Sequence, residues 1–213
     1  MSQHTLRLLR FTYKKLKEKL TVSDSKKVFH ELFPYVIPGL YKRIVDEMLV
    51  ELNLLCHQND FVQENLFCIG LTETFKELTK DYKPEKHLEL LFDSICKSTN
   101  FEPVKIRELA DKELRKYKDK SIKEISELLK SKSNANLYPS RILNLGIYLI
   151  VSNANDIEDK HDDGIYPIIS NIIENLNLSV SKAEKDIGIY KNSIIKFKQA
   201  KELLEESIKK EKK

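Results

Sequence analysis

The segment DIEDKHDDG, residues 156–164, contains several acidic residues and one histidine, whose side chains could together bind a metal ion. Glu158 and His161 lie three residues apart, so a helix would project both side chains from one face. Helical di-metal sites need two such Glu-x-x-His pairs and further glutamates. The sequence contains no second pair. A metal-dependent helical enzyme is therefore the weakest of the functional hypotheses.

The same segment matches a calcium-binding loop only in part. Asp159, Asp163 and Gly164 fall at the first, fifth and sixth positions of an EF-hand loop. The third position is His161, and the twelfth is Ser170, where a bidentate glutamate belongs. There is also no glycine-rich phosphate loop and no G-x-S-x-G nucleophile motif. We therefore predict no catalytic residues, no metal site and no cofactor.

The composition predicts the elements that carry these residues. With 5 glycines, 6 prolines and 33% charged residues among 213, the chain favours long helices with few tight turns. We predict an all-α multi-helix bundle of about nine helices, in which proline marks the first turns. A basic amphipathic extension spans 1–20, a helical body 21–178, and a long C-terminal helix with a frayed basic end 179–213. The predicted body helices are TVSDSKKVFHELF, capped by Ser23 or Asp24, and 37–55, 62–81, 84–98, 102–118, 121–131, 138–152 and 165–176.

The stretch IPGLYKRIVDEMLVELNLL, residues 37–55, has apolar residues on two sides of a predicted helix. A wide stripe predicts the core face: it comprises Tyr41, Ile44, Val45, Met48, Leu49, Leu52 and Leu55. The opposite side carries a half-apolar set that we call the outer row: Arg43, Asp46, Glu47, Val50 and Leu54. Either this row receives a protein partner, or a second layer of helices covers it. The number of helices favours the covered interpretation.

The C-terminal segment has a heptad pattern, which we call the seam. Its positions are Ile187, Tyr190, Ile194, Phe197, Leu204 and Ile208, with Lys201 at one of them. Such a pattern predicts a long helix that packs along a partner, its own body or a second copy. Ile187, Tyr190, Ile194 and Phe197 are accordingly a second set of candidate partner-binding residues.

The N-terminal twenty residues carry six of the 37 basic residues and one of the 33 acidic ones, so the rest of the chain is nearly neutral. Leucines on one side oppose Arg7, Arg10, Lys14 and Lys17 on the other. Such a helix either docks on the body or lies on anionic lipid. A neutral body lacks the basic stripe that nucleic acid requires, so we predict no nucleic-acid partner.

Targeting signals and cysteine usage predict where the chain is found. The longest apolar run is LGIYLIV, residues 145–151, far short of the roughly 20 residues that cross a bilayer. No signal peptide is evident, and three cysteines without a C-x-x-C motif indicate a reducing compartment. We therefore expect a cytoplasmic protein that is soluble or peripherally membrane-bound.

Three stretches resemble the thylakoid formation protein family, also called the photosystem II biogenesis protein family. They are TVSDSKKVFHELFPYVIPGLYKRIVDEMLVELNLL, FCIGLTETFKELTKDYKPEKHLELLFDSIC and KDIGIYKNSIIKFKQAKELLEE, within residues 21–206. The pattern Ile-Pro-x-x-Tyr-x-Arg-x-x-Asp-Glu-x-x-x-Glu is the most specific part. The resemblance implies an all-helical, non-enzymatic protein of thylakoids that acts in photosystem II assembly and repair. It also implies a link to the membrane protease FtsH.

Two functional hypotheses follow from the residues and the resemblance together. The first is an auxiliary factor that binds and stabilises the FtsH protease complex and is peripherally associated with the thylakoid membrane. The second is a membrane-binding protein that engages anionic thylakoid lipid through the basic N-terminal helix. Residues 1–20 extend beyond the usual start of the family, so the resemblance lends this second role no support. The lack of a transit peptide favours a cyanobacterial source over a plant.

Overall fold

The computed structural model describes residues 20–157 and 163–211, and within them the chain is entirely helical apart from turns and loops. The prediction of an all-α fold with a long C-terminal helix is confirmed. The α-helices are α1 (Val22–Leu32), α2 (Gly39–Cys56), α3 (Asn65–Thr79), α4 (Leu88–Ser98), α5 (Pro103–Leu114), α6 (Ile122–Lys130), α7 (Arg141–Ser152), α8 (Tyr166–Asn175) and α9 (Val180–Glu211). Short 3-10 turns precede α4 and α8.

Local side-chain chemistry sets several helix starts. The cap of α1 is Thr21, not Ser23 or Asp24 as predicted, because Thr21 and Asp24 form a reciprocal capping box. Ser121 and Glu124 do the same for α6. Pro103 begins α5 as predicted, but the helix expected from Pro84 begins as a 3-10 turn and becomes α-helical only at Leu88.

The chain forms two compact units. Among the described residues, the first comprises 20–61 together with Asp81–Pro103, and contains α1, α2 and α4. The second comprises Val62–Lys80 and the described residues from Val104 onward, and contains α3 and α5 to α9. This division differs from the predicted body and separate C-terminal segment, because α9 packs into the second unit along its first half.

In the first unit, the three helices pack pairwise around the predicted core stripe of α2. The stripe residues are buried apart from Ile44, which is half-buried. Phe29 of α1 and Phe33, the residue after its last turn, stack on each other in the same core, with ring centroids 5.8 Å apart. Hydrogen bonds also join α2 to α1 and to the residue before it: Asn53 Nδ2 donates to the carbonyl of Leu20 and to Ser25 Oγ, both at 2.8 Å. These bonds hold the start of α1 and the residue before its cap against α2.

In the second unit, α7 is the central helix and packs against α3, α6, α8 and α9. Two glycines let α3 and α7 approach closely. A Cβ atom on Gly70 would overlap the carbonyl oxygen of Ile142, and one on Gly146 would overlap that of Leu66. Asn144 of α7 donates to Asp186 of α9 at 2.8 Å, and both side chains are buried. The backbone of α9 is helical through Glu211, beyond the point where the loss of apolar spacing predicted fraying.

Candidate partner-binding surface

The outer row of α2 lies on the surface of the first unit. Arg43 Nε donates to Glu47 Oε1 at 2.7 Å, and the arginine side chain is 82% exposed. Val50 is half-buried, and Leu54 is 54% exposed. The prediction that a second layer of helices covers this row is therefore wrong. The row presents an ion pair and an exposed leucine along one helix face.

Asp46 stands apart from the rest of the row because it bonds to a different helix. Its Oδ1 atom lies 2.7 Å from Lys26 Nζ of α1, and both side chains are more than a third exposed. An exposed pair of this kind contributes at most about 1 kcal/mol. Asp46 therefore helps to orient α1 on α2. Arg43 forms its ion pair with Glu47 and not with Asp46.

The row is exposed because of the way the first unit is assembled. Both partner helices, α1 and α4, pack on α2, and the residues that this packing buries are those of the core stripe. These two helices cover only one side of α2. The opposite side therefore keeps the side chains that helical spacing places there.

The first residues of the seam of α9 are buried, unlike the exposed outer row of α2. Ile187, Tyr190 and Ile194 are 0%, 5% and 6% exposed, and α9 packs on α7 and α8. The proposal of these three residues as partner-binding is therefore wrong, since the chain's own helices already occupy them. Phe197 is half-buried. Of the three alternatives that the heptad pattern left open, packing on its own body is observed for the first half of the seam, whereas Leu204 is 52% exposed.

Sequence reasoning missed an exposed apolar loop between α1 and α2. Tyr35 and Val36 are 46% and 89% exposed, and the Tyr35 ring stacks on His87 with centroids 3.8 Å apart. The signal available in the sequence was the pair of prolines, Pro34 and Pro38, which bracket these residues and stiffen the loop. The loop adds apolar surface to the first unit.

A buried carboxylate in the second unit is the clearest test of an enzymatic interpretation. Glu113 is 0% exposed and accepts from Lys116 at 2.7 Å, Lys132 at 2.8 Å, Asn65 at 3.1 Å and Tyr117 at 3.2 Å. Burial raises its pKa, but these donors outweigh burial and lower the pKa to about 2. All of the donors come from the chain itself. Glu113 therefore ties α3 and α5 to the segment after α6 and does not serve as a proton carrier near neutral pH.

The remaining predicted sites fall partly outside the described residues. Arg7, Arg10, Lys14 and Lys17 lie there, as do the metal candidates Glu158, Asp159 and His161. Across residues 20–157 and 163–211, no group of three histidine, cysteine or carboxylate side chains is placed to hold a metal ion. Ser170, tested above as a calcium ligand, donates to Glu184 at 3.0 Å.

The apolar run that sequence reasoning tested as a membrane span, residues 145–151, lies in α7 and is almost wholly buried. Within the described ranges no helix combines the length and apolarity needed to cross a bilayer.

Comparisons with known proteins agree with the resemblance. The profile of the family described as thylakoid formation protein matches residues 21–213. Protein Thf1 of Prochlorococcus marinus subsp. pastoris is 71% identical over 198 residues, covering 93% of this chain and 98% of that protein. Thf1 of Prochlorococcus marinus strain MIT 9312 is 66% identical over the same shares. The solved structure of Psb29 matches with a TM-score of 0.80 at 24% identity, covering 91% of this chain and 97% of that one.

Proposed function

Since the chain belongs to the thylakoid formation protein family, we propose that it is a non-enzymatic auxiliary factor that binds and stabilises the FtsH protease complex. Membership of the family supports a role in thylakoid formation and photosystem II biogenesis. The chain acts at the cytoplasmic side of the thylakoid membrane, in peripheral association with it.

The outer row of α2 carries this proposal. Recognition patches are enriched in arginine and aromatic side chains within a polar rim. The row supplies Arg43 with Glu47 on one turn, and Val50 and Leu54 further along add apolar contact area. Tyr35 and Val36 of the loop before α2 extend the apolar surface of the same unit. A partner that buries Leu54 and pairs with Arg43 gains both an apolar contact and a charge-assisted one.

Affinity capture from solubilised thylakoid extracts tests the proposal. The parent chain is expected to capture FtsH. Arg43→Glu is expected to abolish capture, because it places a carboxylate beside Glu47 at the position where the partner would contact the cationic guanidinium of Arg43. Lys42→Glu is the matched control: Lys42 is exposed on the same helix but lies about 100° around it, so capture is retained. Equal capture by the parent chain and Arg43→Glu would remove the outer row from the proposal.

A trimmed chain separates this function from lipid binding. The trimmed chain should begin at Leu20, because Leu20 is 4% exposed and its carbonyl accepts the bond from Asn53. We expect the trimmed chain to capture FtsH as the full chain does. Loss of all membrane association on trimming, with no protease captured by either chain, would instead favour the lipid hypothesis.

A further inference from the structure

The positive charge of the chain is concentrated in two places, although the part after residue 20 is nearly neutral as a whole. Residues 105–132, which contain most of α5 and all of α6, hold ten basic and six acidic residues. The N-terminal residues 1–20 hold six basic residues and one acidic residue, and all other residues together hold 21 basic and 26 acidic ones. The body therefore has one basic region, at 105–132, and is net acidic elsewhere.

Four cations at the turn between α5 and α6 are exposed and form no ion pair with any residue in 20–157 or 163–211. We call them the basic turn: Lys112, Arg115, Lys118 and Lys123. Two nearby carboxylates are already engaged. Glu113 is buried and pairs with both Lys116 and Lys132, so it leaves one of these two positive charges uncompensated. Glu124 pairs with Lys120 at 3.1 Å.

Exposed aspartates adjoin the basic turn and reduce its charge without cancelling it. Asp111 and Asp119 are both exposed there. With these two included, residues 111–123 hold six basic and three acidic residues, and the third acid is the buried Glu113. A positive excess therefore remains on the exposed surface.

The backbone of the basic turn is tied to the rest of the second unit. Tyr117 is 5% exposed, and its hydroxyl donates to Glu113 at 3.2 Å. The amide and the side chain of Asn155 donate to the carbonyls of Lys120 and Asp119, each at 2.9 Å. These bonds hold the turn from its inner side. The cations of the basic turn are therefore presented to the outside from fixed backbone positions.

The composition of this surface favours an anionic bilayer over a protein or a nucleic acid. Three of its four cations are lysines, which are depleted at protein interfaces. Polybasic surfaces bind anionic bilayers by long-range attraction and need no specific pocket. The one aromatic residue in 111–123 is Tyr117, which is buried and offers no face on which a base could stack. The acidic remainder of the body is repelled by an anionic surface, which orients the basic turn toward it.

We propose that the basic turn is the part of the folded body that contacts the anionic headgroups of a lipid bilayer. The inference rests on the proposed function in one respect, namely the peripheral association with a membrane. It differs from the hypothesis of a lipid-binding N-terminal helix, because the contact lies between α5 and α6. The attraction is screened over a Debye length of about 8 to 10 Å, so binding falls as salt is added.

Sedimentation of the full chain with vesicles tests the basic turn. The vesicles contain phosphatidylglycerol and phosphatidylcholine, and vesicles of phosphatidylcholine alone are the reference. The parent chain should bind the anionic vesicles more tightly, with an affinity that falls as salt is added. The triple variant Lys112→Gln, Lys118→Gln and Lys123→Gln should weaken this binding at least about thirtyfold, since each lysine near the surface accounts for roughly a fivefold change. Its affinity should also depend less steeply on salt.

A second triple variant removes the same charge from another surface. Lys185→Gln, Lys196→Gln and Lys198→Gln neutralise exposed lysines of α9. This control should weaken vesicle binding less than about threefold. Thermal midpoints close to that of the parent chain establish that both variants fold. Equal weakening by the two triple variants would overturn the inference, because net charge alone would then explain binding. Unchanged binding by the basic-turn variant would overturn it as well.

Other polyanions reveal a wrong occupant. Single-stranded RNA and polyglutamate are titrated against the parent chain and the basic-turn variant. We expect both polymers to bind more weakly than the anionic vesicles. Tighter binding of either polymer, with a comparable loss in the basic-turn variant, would overturn the assignment to lipid in favour of that class of partner.

Capture of FtsH from solubilised extracts distinguishes failure of this inference from failure of the proposed function. The basic-turn variant should capture FtsH as the parent chain does, because no bilayer is present. Loss of capture with unchanged vesicle binding would overturn the inference and assign the basic turn to the protease. If the parent chain captures no FtsH, the proposed function fails, and the comparison of vesicle binding still decides whether the basic turn contacts lipid.

Discussion

Helices α2 and α7 are both rich in apolar residues, yet they occupy opposite positions in their units. Ten of the twelve residues of α7 are buried, because four other helices surround it. Only seven of the eighteen residues of α2 are buried, because α1 and α4 cover one side of it. A surrounded helix has no surface left to offer a partner. An edge helix keeps a face on which recognition is possible.

The same contrast explains the two candidate surfaces. The first half of the seam, Ile187, Tyr190 and Ile194, is buried where α9 packs on α7 and α8, whereas Leu204 further along is 52% exposed. The outer row of α2 has no such neighbour in the first unit, so its ion pair and leucine remain exposed. Apolar spacing is therefore matched by burial only where other helices of the same unit lie against it.

Leu52→Ala gives the largest expected effect and tests the inner side of α2. Leu52 is fully buried, so truncation should lower the free energy of unfolding by about 2 to 5 kcal/mol. Leu54→Ala, two residues away on the exposed side, should change it by less than about 0.5 kcal/mol. Chemical denaturation measures both. Equal losses in the two variants would contradict the assignment of inner and outer sides.

Gly70→Ala tests the close contact that lets α3 reach the central helix. The new methyl group would overlap the backbone carbonyl of Ile142, which cannot move aside as a side chain can. We expect a loss above about 3 kcal/mol, at the upper end of overpacking effects. Gly188→Ala of α9 is the control, since no atom lies within 4 Å of its added Cβ. A normal denaturation midpoint for Gly70→Ala would show that the helices separate easily.

Acid titration tests the buried carboxylate of the second unit. The pKa of Glu113 falls from 4.5 to about 2 on folding, so the unfolded chain takes up the proton at higher pH. The stability that this group contributes is present above about pH 4.5 and is lost as the pH falls toward 2, by about 3 kcal/mol in total. Glu113→Gln should remove that part of the acid dependence. Glu108→Gln, exposed on the same helix, should retain it.

Arg43→Glu gives the smallest expected change in stability and sharpens the contrast most. Because Arg43 is 82% exposed, the like charge beside Glu47 should cost only a few tenths of a kcal/mol. A loss of about 3 to 5 kcal/mol in chemical denaturation, typical of an unpaired buried charge, would mean that the row is covered after all.

Short-range patterns predicted much of this protein. The low glycine and proline content, the prolines at helix starts and the apolar spacing predicted the helices, with ends that differ by a few residues. The inner stripe of α2 followed from helical projection alone. These features depend on residues three or four positions apart, whose relative placement a helix fixes without help from the rest of the chain.

The tertiary structure decided which of the predicted surfaces are covered. Nothing in the segment 37–55 specifies that only two helices pack on it, and the heptad of α9 would look the same against a partner. The contact of Gly70 with α7 and the bonds of Glu113 to Lys132 and Asn65 join residues far apart in the chain. Their physical cause is long-range packing, in which the apolar stripe of one helix is buried by helices that are distant in the sequence. The sequence by itself determined the stripes, and only the folded chain determined what lies against each of them.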